Sequence, residues 1–127
     1  LPSGRMLTYP YPVLKAIETP WGEMKEQVHY MKVNGLTNKW EESHAYGGLW
    51  AENITQAVAR DILAEAITRV SRLGYDVVLS VHDEIVAEMS ENADWLENLL
   101  TQMKVLPAWA AGLPVAAEGF TSKRYRK

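Results

Sequence analysis

The stretch Tyr75–Met89, YDVVLSVHDEIVAEM, decides the fold of this chain. Valine, leucine and isoleucine dominate both sides of a short polar break, which is the pattern of two antiparallel strands joined by a turn. The break is His82-Asp83-Glu84, and we expect a tight hairpin with these three residues at its tip. Tight hairpin turns need a positive φ and prefer glycine or asparagine there, so this tip departs from the usual turn chemistry.

The departure at the tip admits two interpretations. A sequence that breaks a local rule inside a well-specified element often does so for function. Asp83 and Glu84 supply carboxylate oxygens, which Mg²⁺ accepts alongside water and substrate phosphate. Acidic residues are also common in solvated turns. Spacing alone therefore leaves a metal site and a solvated turn as open alternatives.

A long helix is predicted upstream of the hairpin, within residues 46–73. It opens at Gly47-Gly48, and Gly74 follows it where a glycine commonly terminates a helix. Apolar residues recur every three to four positions, so we expect them to form one buried stripe. The stripe consists of Trp50, Ile54, Val58, Ile62, Ala66, Val70 and Leu73.

The same helix carries a polar stripe. Asn53, Gln56 and Arg60 are spaced three and four residues apart, so they share one helical face. Side chains that donate and accept hydrogen bonds suit base edges or sugars in a nucleic-acid groove. An ordinary solvated helix face shows the same pattern, and both interpretations stay open here.

The remaining segments complete an α+β class. Residues 1–45 are predicted to form short strands and hairpins, including a strand at Arg5–Tyr9. Residues 91–106 are predicted to form a second helix, and residues 115–127 a final strand at Val115–Phe120 followed by a basic tail. We expect one domain over residues 1–127, in which an antiparallel sheet packs against one long and one shorter helix.

Composition excludes several classes of protein. The 127 residues include no cysteine, which excludes disulfides and cysteine-ligated zinc. No apolar run is long enough to cross a membrane. The net charge is −3, and without the four basic residues of the tail it is −7. Such a chain is not a general DNA-coating protein, because phosphate binding depends on clustered lysine and arginine.

Two further features are the first residues of the chain and a pair of isolated histidines. The chain begins Leu1-Pro2-Ser3-Gly4-Arg5, without an initiator methionine or the layout of a secretory signal, so we expect a piece of a longer protein. His29 and His44 have no metal-ligand spacing to each other or to His82, and we interpret both as incidental.

Four ordered segments resemble the family A DNA polymerases, the class of DNA polymerase I. The sequence VHDEIV at Val81–Val86 resembles motif C of that family. The long palm helix of the family is resembled by ENITQA (Glu52–Ala57) followed by ARDIL (Ala59–Leu63). The segment before that helix is resembled by LPSGR (Leu1–Arg5) with Leu7 and Tyr9-Pro10. The C-terminus of bacteriophage-type members is resembled by Leu106–Ala110 together with Lys123–Tyr125.

This resemblance implies two-metal nucleotidyl transfer with Mg²⁺, on primer–template DNA and deoxynucleoside triphosphates, in the cytoplasm of a bacterial host. It implies that Asp83 is one of the two metal-binding aspartates and that Glu84 is an auxiliary carboxylate near the primer end. His82 would contact the backbone at the primer terminus. Gln56 and Asn53 would contact the minor groove, and Arg60 is a further DNA-binding candidate.

Two parts of the family pattern have no counterpart in the sequence. One is the strand with the second metal aspartate, and the other is the fingers helix that binds the nucleotide. We therefore expect at most half of a metal site and no polymerase activity from the isolated chain, with a missing N-terminal polymerase portion as one partner. A homodimer through the open sheet edge left by the absent strand is another expectation. The alternative function is a non-catalytic DNA-binding or assembly module of phage or prophage origin.

Overall fold

The computed structural model describes residues 1–90 and 94–125, and its elements are those of an α+β fold. The chain divides into two compact units, the first ending at Gln56 and the second beginning at Ala57, so the long helix contributes to both. The elements are β1 (Val13–Glu18), β2 (Met24–Val33), β3 (Trp40–Ala45), α1 (Gly47–Arg72), β4 (Asp76–Val81), β5 (Glu84–Glu88), α2 (Asp94–Met103) and a 3-10 turn at Ala108–Ala110.

The first unit contains a three-stranded antiparallel sheet in the order β1-β2-β3. Its packed residues are aromatic and small: Tyr30 and Ala45 are buried. Tyr9 packs edge-on against Tyr30, with ring centroids 5.0 Å apart, and stacks on Trp50 at 4.7 Å. Much of the remaining sheet is open to solvent, since large apolar residues on every strand are at least half exposed. These are Val13, Leu14, Met24, Val33 and Trp40.

The predicted strand at Arg5–Tyr9 is absent. A single backbone hydrogen bond joins the neighbouring segment to β2, donated by the Met31 N–H to the Pro10 carbonyl over 2.9 Å. Pro10 and Pro12 have no N–H to donate, so the segment cannot extend a ladder along β2.

Helix α1 forms where the periodicity predicts it, but its buried face differs from the predicted stripe. Two residues of that stripe, Ile54 and Leu73, are 46% and 48% exposed. The buried positions are Ala57, Asp61, Leu63, Ala66 and Val70. Two of these positions are alanine, and Ala66 and Val70 are the predicted stripe residues among the five.

The second unit packs α2 and the 3-10 turn against α1. The Arg69 guanidinium donates to the Gln102 carbonyl over 2.5 Å. The Trp109 indole N–H donates to a Glu65 carboxylate oxygen over 2.7 Å. Helix α2 ends at Met103, before the predicted end at residue 106. The predicted start at residue 91 lies outside the described residues.

The predicted final strand at Val115–Phe120 is also absent. A Cβ atom at Gly119 would lie 3.3 Å from side-chain carbons of Leu96 and of Leu100. Gly119 in this segment therefore lies against Leu96 and Leu100 of α2, and the segment pairs with no strand in the described part of the chain. Among the described helices, none combines the length and hydropathy needed to cross a bilayer.

Candidate functional site

The hairpin predicted at Tyr75–Met89 is formed by β4 and β5, and its turn is tighter than expected. Val81 pairs with Glu84, so the loop contains two residues and Glu84 is the first residue of β5 rather than part of the tip. His82 has a φ of 51°, in the left-handed region. A two-residue hairpin needs this sign of φ to match the strand twist, and the turn forms although no glycine or asparagine occupies it.

The side chains at this turn face solvent. His82, Asp83 and Glu84 are all exposed. The turn thus presents two solvent-exposed carboxylates in adjacent positions. Oxygen donors of this kind fit Mg²⁺. Among the described residues, however, no group of three or more histidine, aspartate or glutamate side chains is arranged to hold a metal ion.

The base of the hairpin is firmly attached within the second unit. Gly74 has a φ of 93°, and the N–H groups of Gly74 and Tyr75 donate to the carbonyls of Ser71 and Val70. This double hydrogen bond is the Schellman arrangement, which satisfies the last carbonyls of α1 and turns the chain into β4. The direction in which β4 leaves the helix is therefore fixed by backbone bonds.

Tyr75 provides a second attachment that the sequence pattern did not single out. It is 3% exposed, its hydroxyl donates to the Trp95 carbonyl over 3.0 Å, and the two rings meet edge to face at 5.2 Å. The signal was an aromatic residue directly after the helix-terminating glycine, where a hydrophobic contact often accompanies the motif. Tyr75 thus connects the start of β4 to α2.

The structure separates the predicted polar stripe of α1 into two kinds of residue. Asn53 is half-buried, and its side-chain N–H donates to the Tyr9 hydroxyl over 3.0 Å. Its amide nitrogen is therefore engaged inside the first unit. Gln56 is exposed and donates to a Glu52 carboxylate over 3.2 Å, a contact that water readily replaces, and Arg60 is exposed as well. Gln56 and Arg60 are the stripe residues most accessible to a ligand.

A second cluster of polar side chains lies on the β1-β2-β3 sheet. His29 and His44 are directly opposite each other on β2 and β3, with ring centroids 6.0 Å apart. Glu42 bonds to Lys15 at 2.7 Å and to His29 at 2.9 Å. The hydrogen bonds from Lys15 and then His29 lower the pKa of the Glu42 carboxyl. Spacing along the sequence gave no sign of this pairing, because only the strand register brings the two histidines together.

The sequence is similar to that of a "DNA polymerase" from Bacillus phage SP02, with 39% identity over 127 residues. The alignment covers the whole of this chain and 19% of the length of that relative. No protein-family model matches the chain, and no solved structure matches it. Similarity along the full chain supports a DNA polymerase fragment, which is the coarse class that the four resembling segments together predict.

Proposed function

We propose that the chain is the C-terminal palm portion of a family A DNA polymerase of bacteriophage or prophage type. The observation that carries the proposal is the 39% identity to a phage DNA polymerase across the whole chain. The sequence His82-Asp83-Glu84 at an exposed, tightly turned hairpin supports it, because template-directed nucleotidyl transfer uses carboxylates that metal ions and DNA can reach.

In this proposal each residue at the turn has a separate role. Asp83 supplies one carboxylate to a Mg²⁺ ion that carries the substrate phosphates. Glu84 is an auxiliary carboxylate near the primer end, and its position at the start of β5 gives its backbone a fixed place opposite Val81. His82 contacts the DNA backbone at the primer terminus.

The helix contributes the proposed contacts to DNA. Gln56 reads the minor groove of the primer–template duplex, where the acceptor positions are nearly common to all correct base pairs, so the contact tests pairing geometry rather than sequence. Arg60 adds a contact to phosphate. Asn53 has a smaller part than the spacing suggested, because its amide N–H is bonded to Tyr9.

The turn supplies at most half of the metal site. A two-ion displacement needs a second carboxylate strand, and the sequence has no segment that resembles the one that carries the second metal aspartate in the family. We therefore propose that the isolated chain does not polymerise. Activity requires a polymerase portion that brings the second aspartate and the nucleotide-binding helix, and it takes place in the bacterial cytoplasm where phage DNA is copied.

The experiment places this chain in a working polymerase. The aligned segment of the phage SP02 polymerase is replaced by residues 1–127, and primer extension is measured with template, nucleotides and Mg²⁺. We expect the chimera to extend primers and Asp83→Ala to slow extension by roughly a hundredfold or more, since a metal ligand supports several kcal/mol of transition-state stabilisation.

Asp76→Ala is the matched control for that experiment. Asp76 is an exposed aspartate on the same hairpin, paired with Glu88 at the end away from the turn. We expect its removal to leave extension unchanged. An Asp83→Ala chimera that extends primers as fast as the Asp76→Ala chimera would contradict the proposed metal role, and robust extension by the isolated chain would contradict the half-site.

A non-catalytic DNA-binding module is the second candidate. It is favoured by the exposure of Gln56, Arg60 and the described tail residues Lys123 and Arg124. Filter binding with duplex DNA at low and high salt tests it. Salt-sensitive binding that Gln56→Ala weakens supports a groove contact, whereas no binding up to about 10⁻⁴ M, the weak end of non-specific affinities, counts against the module.

A further inference from the structure

Strand pairing places two histidines side by side on the β1-β2-β3 sheet. His29 on β2 lies directly opposite His44 on β3, so both side chains project from the same face of the sheet. Their ring centroids are 6.0 Å apart and the ring planes are inclined by 45°. His44 is exposed, whereas the side chain of His29 is only 16% exposed.

Glu42 fixes the orientation of His29. A Glu42 carboxylate oxygen lies 2.9 Å from Nδ1 of His29, and both carboxylate oxygens lie 2.7 Å from the Lys15 amino group. A carboxylate only accepts hydrogen bonds, so Nδ1 carries the proton in this contact. In the neutral ring this leaves a lone pair on Nε2.

Nothing else in the described part of the chain binds the second ring nitrogen of His29, Nε2. Nε2 of His29 is buried and has no hydrogen-bond partner there. A buried polar atom without a partner is unfavourable and calls for an explanation such as an ion. A histidine whose Nδ1–H is held by a carboxylate while Nε2 stays available has the arrangement found in histidines that bind metals.

We propose that His29 and His44 form a two-histidine site for a divalent transition-metal cation, with Glu42 orienting His29. Imidazole nitrogen suits Zn²⁺, Ni²⁺ and Cu²⁺, whereas Mg²⁺ prefers oxygen ligands, so the site is separate from the proposed role of Asp83. In the proposed site the exposed His44 ring would rotate toward Nε2 of His29 to complete the pair of ligands, and water would fill the remaining positions of the ion.

The bound ion would act as a bridge between β2 and β3. Glu42 extends this bridge to β1 through Lys15. The sheet leaves large apolar residues on every strand exposed, so it has little buried surface of its own. A cation that binds the folded sheet but not the unfolded chain would therefore increase the free energy of unfolding.

The test titrates Ni²⁺ into the purified 127-residue protein by calorimetry, with Mg²⁺ in large excess throughout. We expect one ion per chain and a loss of affinity of at least about tenfold in His44→Ala, which removes one of two protein ligands. We expect Glu42→Gln to weaken binding by about tenfold, the lower end of the effect of residues that orient a ligand.

His82→Ala is the matched control, because His82 is the third histidine of the chain and lies on the hairpin turn beside Asp83. We expect its binding to equal that of the unmodified protein. His44 is exposed, so its truncation leaves the fold intact, and far-UV circular dichroism verifies this. A rise in melting temperature with Ni²⁺ that His44→Ala abolishes gives independent support.

Three outcomes overturn the proposal. The first is the absence of saturable Ni²⁺ binding by the unmodified protein. The second is equal affinity in the unmodified protein and folded His44→Ala. The third is binding that depends on His82 and not on His44, which would assign the ion to the hairpin turn. None of these outcomes bears on primer extension, so the two proposals are tested separately.

Discussion

At the scale of single residues, His82 combines an unusual backbone with a proposed functional position. Its φ of 51° lies where a Cβ atom crowds the backbone, and the residue is not glycine. Sites that retain such strain often do so because the side chain is needed there. If His82 has the proposed role at the primer terminus, its side chain is kept at a cost in stability.

Two substitutions of His82 test whether its backbone conformation costs stability. We expect His82→Gly to raise the free energy of unfolding by about 1 kcal/mol, because glycine adopts a positive φ without steric cost. Urea denaturation measures the change. His82→Ala is the control, since alanine keeps the Cβ and gains no relief. Equal stability of the two variants would show that the turn is not strained, and the chimeric polymerase should lose activity in both.

Glu42 determines a pH dependence at the same scale. Its pKa is lower in the folded protein than in the unfolded chain, because Lys15 and His29 donate hydrogen bonds to the charged carboxylate. The stabilisation is therefore present above the ordinary pKa of a glutamate side chain and is lost as the pH falls through the lower pKa of the folded protein. Unfolding measured between pH 6 and pH 2 should show this loss.

Glu42→Gln supplies the comparison for that measurement. The amide does not titrate, so we expect the variant to be less stable than the parent at pH 6 and to approach it as the pH falls. A constant difference between the two proteins over this range would show that the hydrogen bonds from Lys15 and His29 to Glu42 contribute nothing that depends on the protonation of Glu42.

At the scale of secondary-structure elements, the junction between α1 and β4 orients the hairpin. Gly74 adopts a φ of 93°, and no atom lies within 4 Å of where its Cβ would be, so backbone conformation alone resists substitution. We expect Gly74→Ala to lower the free energy of unfolding by about 1 to 2 kcal/mol. Thermal or urea unfolding provides the measurement.

Gly35→Ala is the matched control for Gly74→Ala. Gly35 also has open space at its Cβ position but does not have a positive φ. We expect this substitution to leave stability unchanged or to raise it slightly, because alanine restricts the unfolded chain. If the two substitutions cost the same, the Schellman arrangement is not what holds the junction.

Elements that depend on neighbouring residues were predictable from the sequence, and elements that depend on distant partners were not. Helix α1 and the β4–β5 hairpin each contain their own periodicity and termination signals. The segment Val115–Phe120 has an apolar pattern similar to that of a strand, but it pairs with no strand in the described chain, and its Gly119 lies against α2. A strand needs a partner, and nothing within the segment specifies one.

The candidate site shows the same division. The residue types at the hairpin turn could be identified from their position between two apolar strands. The contact of Asn53 with Tyr9 joins residues 44 positions apart, and the pairing of His29 with His44 depends on strand register. Candidate residues within one local element could therefore be identified from the sequence. Contacts between residues of two distant segments could not.

At the scale of the whole molecule, the β4–β5 hairpin is incomplete as a sheet. In the part of the chain that the structure describes, no third strand joins it, and Val78 and Leu79 are 49% and 42% exposed on β4. The β1-β2-β3 sheet forms separately and does not complete it. Open apolar edges recruit another strand.

We propose that the purified chain forms a homodimer through this open edge. Light scattering after gel filtration should give twice the monomer mass. Leu79→Lys places a charge on the open strand, so we expect it to favour the monomer, while the exposed Leu36→Lys on the β2–β3 loop should leave the dimer intact. A parent protein that stays monomeric at high concentration contradicts the proposal.

Both sheets pair only strands that are consecutive in the sequence. Hairpins form in about 1–10 μs, whereas a ribosome adds about 5–20 residues each second. Each pairing can therefore be complete soon after its second strand emerges, and the β1-β2-β3 sheet can assemble before Asp83 has been synthesised. Pairing of consecutive strands thus favours folding in the order of synthesis, and it shortens the time for which apolar strands stay exposed to other nascent chains.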